Sequence, residues 1–284
     1  MKKLKLITKI LIAAFIIGLS LLLYPSISNY WNLKHATRAL NSYSGSIVDI
    51  DETAYETIWH SAVEYNQQLT ERQNGFILPA DLKSRYYDEL QVEESGLMGF
   101  VDIPSIGVSL PLYHGTAESV LQVGIGHLEW SSLPTGGEST HCVMSGHRGL
   151  PSAKLFTDLN KLREGDVFTM KVLNETLTYE VDQIRTVLPN ELADLVIFDG
   201  EDYCTLVTCT PYGINTHRLF VRGHRIETAE AGATVIAEAV LVDQVIVALY
   251  LAAPLVFVLF MIVMLKRPAK KKKPVIIPEE ESVL

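Results

Sequence analysis

Two long apolar runs flank a central region in which apolar and polar residues alternate. The first run covers about residues 10–27, follows four lysines, and ends among aromatic residues typical of a membrane interface. We interpret it as an uncleaved anchor, because no small-residue cleavage site closes it. The second run, residues 244–265, is long enough to span a bilayer as a helix and is followed at once by a basic tail.

The basic residues lie on the outer flank of both runs, and this predicts the membrane topology. The positive-inside rule places both termini in the cytoplasm and residues 28–243 outside, as a two-pass protein of the cell membrane. This outer segment holds 14 of the 24 Lys and Arg and 30 of the 33 Asp and Glu, a formal charge of −16. Such an acidic surface argues against nucleic acid as a partner and is compatible with a lysine-bearing protein.

The first part of the outer segment has a helical pattern. Apolar positions of residues 51–72 recur at helical spacing, and Asp51 is a suitable N-cap. An Asn-Gly pair and Pro79 interrupt the pattern, and a short second helix is expected over residues 81–90.

From Gly96 onward, short alternating runs separated by turn residues predict strands. Asn174-Glu175 indicates a hairpin turn, and Ser152–Leu162 is expected to form a helix inside this block. So many short strands in about 130 residues favour a mainly β fold, either a closed barrel or a sandwich.

These patterns divide the chain into six parts. They are a cytoplasmic end with the first span (1–27), an extracellular helical segment (28–95), a strand-rich domain (96–230), a linker (231–243), the second span (244–265) and a basic cytoplasmic tail (266–284).

Cys209 ends the alternating run "TLVTC", and "THRLFVR" returns after a turn. A hairpin centred between Gly213 and Ile214 places Arg218 opposite Cys209 on one face. An arginine there favours a thiolate and can donate hydrogen bonds to a developing oxyanion. Spacing alone leaves an ordinary buried thiol equally open.

His147, in "SGHRGL", is the best candidate for the acid or base that a cysteine nucleophile needs. Its flanking glycines leave room for a substrate backbone. A metal site built from His141, His147, His217 and His224 remains open, but no ligand spacing supports it. The three cysteines form neither a disulfide framework nor a zinc-type pair.

The stretches "TLVTCTPYGINTHRLFVRGHR" and "SGHRGLPSAKLFTDL" resemble the sortases, most closely the class C, pilin-polymerising sortases of Gram-positive bacteria. The resemblance covers about residues 96–225 and implies a closed eight-stranded sortase β-barrel with an N-terminal helical and lid extension, flanked by two transmembrane helices. It implies Cys209 as the nucleophile, His147 as the acid and base, and Arg218 as the oxyanion partner.

The resemblance also implies a reaction and its partners. Such an enzyme cleaves an LPxTG-like sorting signal after threonine and joins the acyl group to a lysine of another pilin subunit, with no metal or organic cofactor. Two alternatives remain: a cell-wall-anchoring sortase with a peptidoglycan amine as acceptor, and a non-catalytic membrane-tethered assembly module. A papain-like protease is disfavoured, because Cys209 lies late in the domain and on a strand.

Class C sortases resemble one another in an Asp-Pro-aromatic lid before the barrel, and this chain departs from that pattern with Leu78-Pro79-Ala80. We still expect a lid, held more weakly by apolar contacts. Its expected residues are Phe76, Leu78, Pro79, Ala80 and Asp81.

Cys142 and Cys204 lie five residues before His147 and Cys209 respectively. In the barrel that the resemblance implies, their strands are parallel neighbours, so the two thiols lie at a similar level. Buried free thiols are expected in preference to a disulfide, because bridges between adjacent strands are strained.

Overall fold

The computed structural model describes residues 2–48, 50–72, 76–228, 254 and 256–257. These residues belong to two compact units, and the chain passes from the first to the second between Leu22 and Leu23. One described helix is long and apolar enough to cross a membrane, Ile12–Val48, with a stretch of mean hydropathy 1.7. The second predicted span, the linker and the basic tail lie outside the described residues, apart from three positions.

The helices precede the barrel in sequence, with one short exception. Within the described ranges they are α1 (Lys2–Val48), α2 (Glu52–Arg72), α3 (Ala80–Tyr86) and α4 (Glu118–Leu121). The predicted α2 is confirmed together with its cap, since Asp51 Oδ1 accepts a hydrogen bond from the Ala54 N–H at 2.8 Å. The second predicted helix ends earlier than residue 90, because the chain turns after Tyr86.

The helical segment is packed onto the strands by buried polar contacts. The side-chain amide of Asn66 on α2 pairs with both backbone groups of Leu133, as a neighbouring strand would. Its Nδ2 donates to the Leu133 carbonyl at 3.0 Å, and its Oδ1 accepts from the Leu133 N–H at 2.7 Å. Tyr43 near the end of α1 donates its hydroxyl proton to the Met98 carbonyl at 2.6 Å. These contacts satisfy buried backbone groups that would otherwise lack partners.

The strands form a closed barrel. They are β1 (Leu97–Ile103), β2 (Val108–His114), β3 (Ile125–His127), β4 (Thr140–Ser145), β5 (Val167–Val172), β6 (Glu175–Val187), β7 (Asp202–Thr210) and β8 (His217–Ile226). Their order around the barrel is β1-β2-β3-β4-β7-β8-β6-β5, and β5 pairs with β1 to close it. The pairs β2–β3 and β4–β7 are parallel. The prediction of a closed eight-stranded barrel is confirmed for the described residues.

The hairpin predicted at Asn174-Glu175 exists one residue earlier. Val172 pairs with Glu175, so Leu173 and Asn174 form the turn, and Leu173 adopts a positive φ of 52°.

The prediction of a helix over Ser152–Leu162 was wrong. The segment forms turns and a single 3-10 turn at Leu159–Lys161. Leu155 has φ of 37°, which an α-helix does not allow, and the Phe156 N–H donates to the His147 carbonyl at 3.1 Å. Packing of Phe156, which is fully buried, overrides the local helical preference.

Candidate active site

Cys209 and Arg218 are partners across the β7–β8 hairpin. The register pairs Cys209 with Arg218, Val207 with Phe220 and Thr205 with Arg222, as the alternation predicted. Both Cys209 and Arg218 are half-buried at the turn end of the hairpin. Residues directly opposite on antiparallel strands have neighbouring side chains, so the thiol and the guanidinium share one face.

That face is the outer face of the barrel. Leu219 and Val221 point into the main interior core, whereas Val207 and Phe220 belong to a separate apolar cluster. We call this second set the outer cluster; its buried members are Val143, Val187, Leu195, Val207 and Phe220. The outer cluster extends along the same face of β7 and β8 as Cys209, and it provides apolar surface next to the thiol.

The parallel pairing of β4 and β7 brings His147 level with Cys209. Cys142 is opposite Cys204 and Ser145 is opposite Val207. Two residues further along each chain lie His147 and Cys209. The topology thus places an imidazole, a thiol and a guanidinium at one end of three adjacent chain segments.

Hydrogen bonds fix the His147 loop to β7. The Gly146 N–H donates to the Val207 carbonyl at 3.1 Å, and the Thr208 hydroxyl donates to the Gly146 carbonyl at 2.8 Å. Arg148 Nη1 donates to the Thr210 hydroxyl at 3.0 Å. The loop therefore continues the β4–β7 ladder beyond the last paired residue of β4.

Gly149 completes this contact between the two loops. Its φ of +81° favours glycine, and a Cβ there would lie 2.9 Å from the Tyr212 ring on the β7–β8 loop. This glycine, one of the two expected to leave room for a substrate, lies against Tyr212, which is 59% exposed.

His147 has a carboxylate neighbour that the sequence did not indicate. Glu118 Oε2 on α4 lies 3.5 Å from His147 Nε2. No motif connects these residues, because they come from separate loops and meet only through the barrel topology.

Arg218 is oriented by its own hairpin. Its Nη1 donates to the carbonyls of Asn215 at 3.2 Å and His217 at 3.1 Å. These two hydrogen bonds hold the Arg218 guanidinium close to the turn that follows Cys209.

The expected lid residues pack in different places. Phe76 packs against the outer cluster, and its ring meets that of Trp130 edge to face at a centroid distance of 4.8 Å. Leu78 instead packs against the interior core. Pro79 and Ala80 lead into α3, and Asp81 forms a two-pronged ion pair with Arg72 at 2.7 Å rather than reaching Arg218.

Cys142 and Cys204 are opposite each other in register, and both are buried free thiols. This confirms the expectation that they lie at a similar level without a disulfide. Cys204 Sγ donates to Met170 Sδ at 3.7 Å, and burial raises the pKa of the Cys204 thiol.

The four histidines considered for a metal site do not form one cluster. His141 is fully buried, and its two ring nitrogens contact the Val196 carbonyl and the Thr205 hydroxyl, both at 2.7 Å. His217 Nδ1 contacts the Thr216 hydroxyl. Across the part of the chain that the structure describes, no group of three or more His, Cys, Asp or Glu is arranged to hold a metal ion.

A thiol, an imidazole and a guanidinium at one end of a barrel are the groups that a thiol-dependent acyl-transfer enzyme uses. A model of the sortase domain matches residues 101–226. The chain is 53% identical to sortase C1 from Streptococcus agalactiae, over 67% of this chain and 99% of that one, with a TM-score of 0.66. The chain belongs to the sortase family, whose members are cysteine transpeptidases.

Two further solved structures are class C sortases. Sortase C from Streptococcus pneumoniae, described in connection with pilin substrate specificity, is 43% identical over 67% of this chain and 97% of that one, with a TM-score of 0.62. Sortase C from Clostridium perfringens, solved with a C-terminal cell wall sorting motif, is 41% identical over 68% and 100%, with a TM-score of 0.61. Against two curated sortases the chain spans 63% and 66% of the relative's length, less than two thirds.

Proposed function

We propose that this protein is a pilin-polymerising cysteine transpeptidase with Cys209 as nucleophile, His147 as acid and base, and Arg218 as oxyanion donor. The observation that supports it best is the shared level of Cys209 on β7 and His147 in the loop after β4, with Arg218 opposite Cys209. Similarity to the Streptococcus pneumoniae enzyme supports pilin as substrate, and similarity to the Clostridium perfringens enzyme supports a C-terminal sorting motif.

The reaction has two steps. The Cys209 thiolate attacks the carbonyl carbon of the threonine in an LPxTG-like signal, and Arg218 stabilises the tetrahedral oxyanion. The peptide C–N bond breaks as His147 gives its proton to the departing amine, which leaves a thioester. A lysine amine of another pilin then attacks the thioester, His147 takes the amine proton, and an isopeptide bond forms as the thiolate leaves.

The full chain, reconstituted in detergent with a pilin that has a sorting signal, tests this function. We expect crosslinked pilins whose threonine carbonyl is joined to a lysine Nζ, identified by mass spectrometry. Cys209→Ala should abolish the product, and the matched Cys142→Ala should retain it. Crosslinking by Cys209→Ala would exclude the catalytic role, and transfer to a peptidoglycan amine in place of lysine would identify a cell-wall-anchoring enzyme.

We further propose that Phe76 is the main lid contact over the apolar surface beside Cys209. Its packing against the outer cluster supports this proposal. Val207 and Phe220 belong to that cluster and form the next pair on the same face of the β7–β8 hairpin as Cys209 and Arg218. Asp81 would act indirectly, since its ion pair with Arg72 joins the end of α2 to the start of α3 across the lid segment. Leu78, Pro79 and Ala80 connect these two anchors.

We also propose the two-pass topology, with the barrel outside and both termini in the cytoplasm. The apolar helix of residues 12–48 and the basic residues outside both apolar runs support it. Epitope tags at either terminus should resist protease added to intact protoplasts, whereas a tag in the Gly200 turn should be digested. Digestion of the C-terminal tag would exclude the second span.

A further inference from the structure

The pairing of β3 with β4 brings α4 next to the His147 loop. β3 is antiparallel to β4, with Gly126 opposite Ser145, so the start of β3 lies beside the end of β4. α4 comes shortly before β3 in the chain. Ile125 confirms the proximity, because a Cβ on Gly146 would lie 2.9 Å from its Cγ2 atom.

One ring nitrogen of His147 is enclosed and lacks a hydrogen-bond partner. Nε2 is buried, and no hydrogen bond to it exists within the described ranges of the chain. The Glu118 carboxylate oxygen Oε2 lies 3.5 Å away. That separation is long for a hydrogen bond to a neutral imidazole but suits an ion pair with a protonated ring.

The Glu118 carboxylate is itself oriented by its helix. Gln122 Nε2, one turn later, donates to Oε1, so Oε2 is the oxygen directed at His147. The hydrogen bond from Gln122 lowers the pKa of the Glu118 carboxyl, and the neighbouring His147 side chain lowers it further. The carboxylate is therefore ionised at neutral pH.

Two arginines at this end of the barrel have partners other than Glu118. Arg148 donates to the Thr210 hydroxyl, and Arg218 donates to the carbonyls of Asn215 and His217.

We propose that Glu118 is a positioning residue for His147: its carboxylate forms an ion pair with the ring at Nε2 when the ring is protonated, fixes the ring and leaves Nδ1 to exchange protons with the reacting amines. This inference rests on the proposed role of His147 in transpeptidation. The carboxylate holds the imidazolium in place while Nδ1 gives its proton to the leaving amine, and it keeps the same ring orientation when Nδ1 later takes a proton from lysine.

The first test measures His147 without any catalysis. Deuterium exchange at the imidazole C2 position of the full chain in detergent gives the titration midpoint of each histidine. Cyanogen bromide cleavage at Met144 and Met170 isolates His147 on its own peptide, away from His141. Glu118→Gln should lower the His147 midpoint by about half a pH unit, the size expected for an exposed ion pair.

Two variants control this measurement. Glu118→Asp should restore part of the shift, because it keeps the charge. Glu138→Gln changes the net charge equally at an exposed position on another loop and should leave the midpoint unchanged. An unchanged His147 midpoint in Glu118→Gln would overturn the inference.

The second test separates positioning from the proposed function itself. In the pilin crosslinking assay, Glu118→Gln should lower kcat about threefold at neutral pH, because the ring that exchanges protons is no longer held in place, while KM stays the same. A raised KM with an unchanged kcat would assign Glu118 to substrate binding instead. If His147→Ala retained full crosslinking, the proposed function would fail even where the midpoint shift is observed.

Discussion

Strand β7 is level with β4 and its following loop at two residue pairs, one in the interior core and one on the outer face. At the first level Cys142 faces Cys204, and both thiols are buried in the interior core. At the second, five residues further along each chain, His147 is level with Cys209, and both are half-buried. An odd separation reverses the direction of a side chain in a strand. The same alternation therefore makes Cys204 a core residue and Cys209 a residue of the outer face.

The two levels also differ in what surrounds the sulfur. Cys204 contacts Met170 in the interior, where burial disfavours the thiolate and raises the pKa of its thiol. Cys209 lies opposite an arginine and beside the outer cluster, at an end of the barrel that solvent reaches. Strand face therefore decides which thiol lies in the interior core and which lies on the outer face.

Replacing Cys209 or Cys204 by alanine, one at a time, should give the largest difference in activity between two variants. Cys209→Ala should reduce pilin crosslinking by at least about 10³-fold, because it removes the sulfur on which the proposed thioester forms. Cys204→Ala should keep the activity and lower the free energy of unfolding by about 1–2 kcal/mol, through a small core cavity. Crosslinking rates measure the first effect and denaturant titrations the second. A large loss of activity in a stably folded Cys204→Ala variant would contradict a purely structural role for Cys204.

Two arginines on the same face of β8 provide a second contrast. Arg218→Ala should lower kcat about 10²–10³-fold, the usual cost of losing an oxyanion donor. Arg222 forms an ion pair with Asp182 at 2.8 Å and stacks on the Tyr203 ring, so Arg222→Ala should reduce stability while kcat remains within a few-fold. Steady-state kinetics beside thermal unfolding separates these outcomes, and equal kcat losses in both variants would refute a specific role for Arg218.

A third contrast concerns His141, which lies on β4 beside the buried thiols. Burial lowers the pKa of His141 to about 4. In the unfolded chain the His141 imidazole has its ordinary pKa near 6.5, so below that pH the unfolded state binds a proton that the folded state does not. The free energy of unfolding is therefore highest above pH 6.5 and falls by up to about 2–3 kcal/mol as the pH drops towards 4. Unfolding of the full chain between pH 7 and 4 should show this slope, and His141→Gln should flatten it. An unaltered slope in that variant would assign the effect to other groups.

The lid gives the smallest expected effect. Phe76→Ala should raise the alkylation rate of Cys209 severalfold in the folded protein, because it removes the ring packed on the outer cluster. Ile77→Ala is the matched control, since that side chain is 79% exposed. Alkylation that is equally fast in the wild-type chain and Phe76→Ala would exclude Phe76 as a cover. A thiol count after denaturation without reductant should give three in each case.

Sequence patterning predicted the local parts of the site. The two-residue period of "TLVTC" and "THRLFVR", with the turn between them, was sufficient for the register of Cys209 with Arg218. The same patterning failed at Ser152–Leu162, where Phe156 is held against the His147 loop by contacts from outside the segment.

The sequence by itself determined the strand faces, the β7–β8 register and the cap of α2, because each depends on residues close together in the chain. Only the tertiary structure decided that His147 is level with Cys209, that Glu118 contacts His147, and that Phe76 rather than Leu78 packs on the outer cluster. These contacts join segments far apart in sequence. Their distances depend on which strands become neighbours when the barrel closes, and the alternation of apolar and polar residues does not specify that strand order.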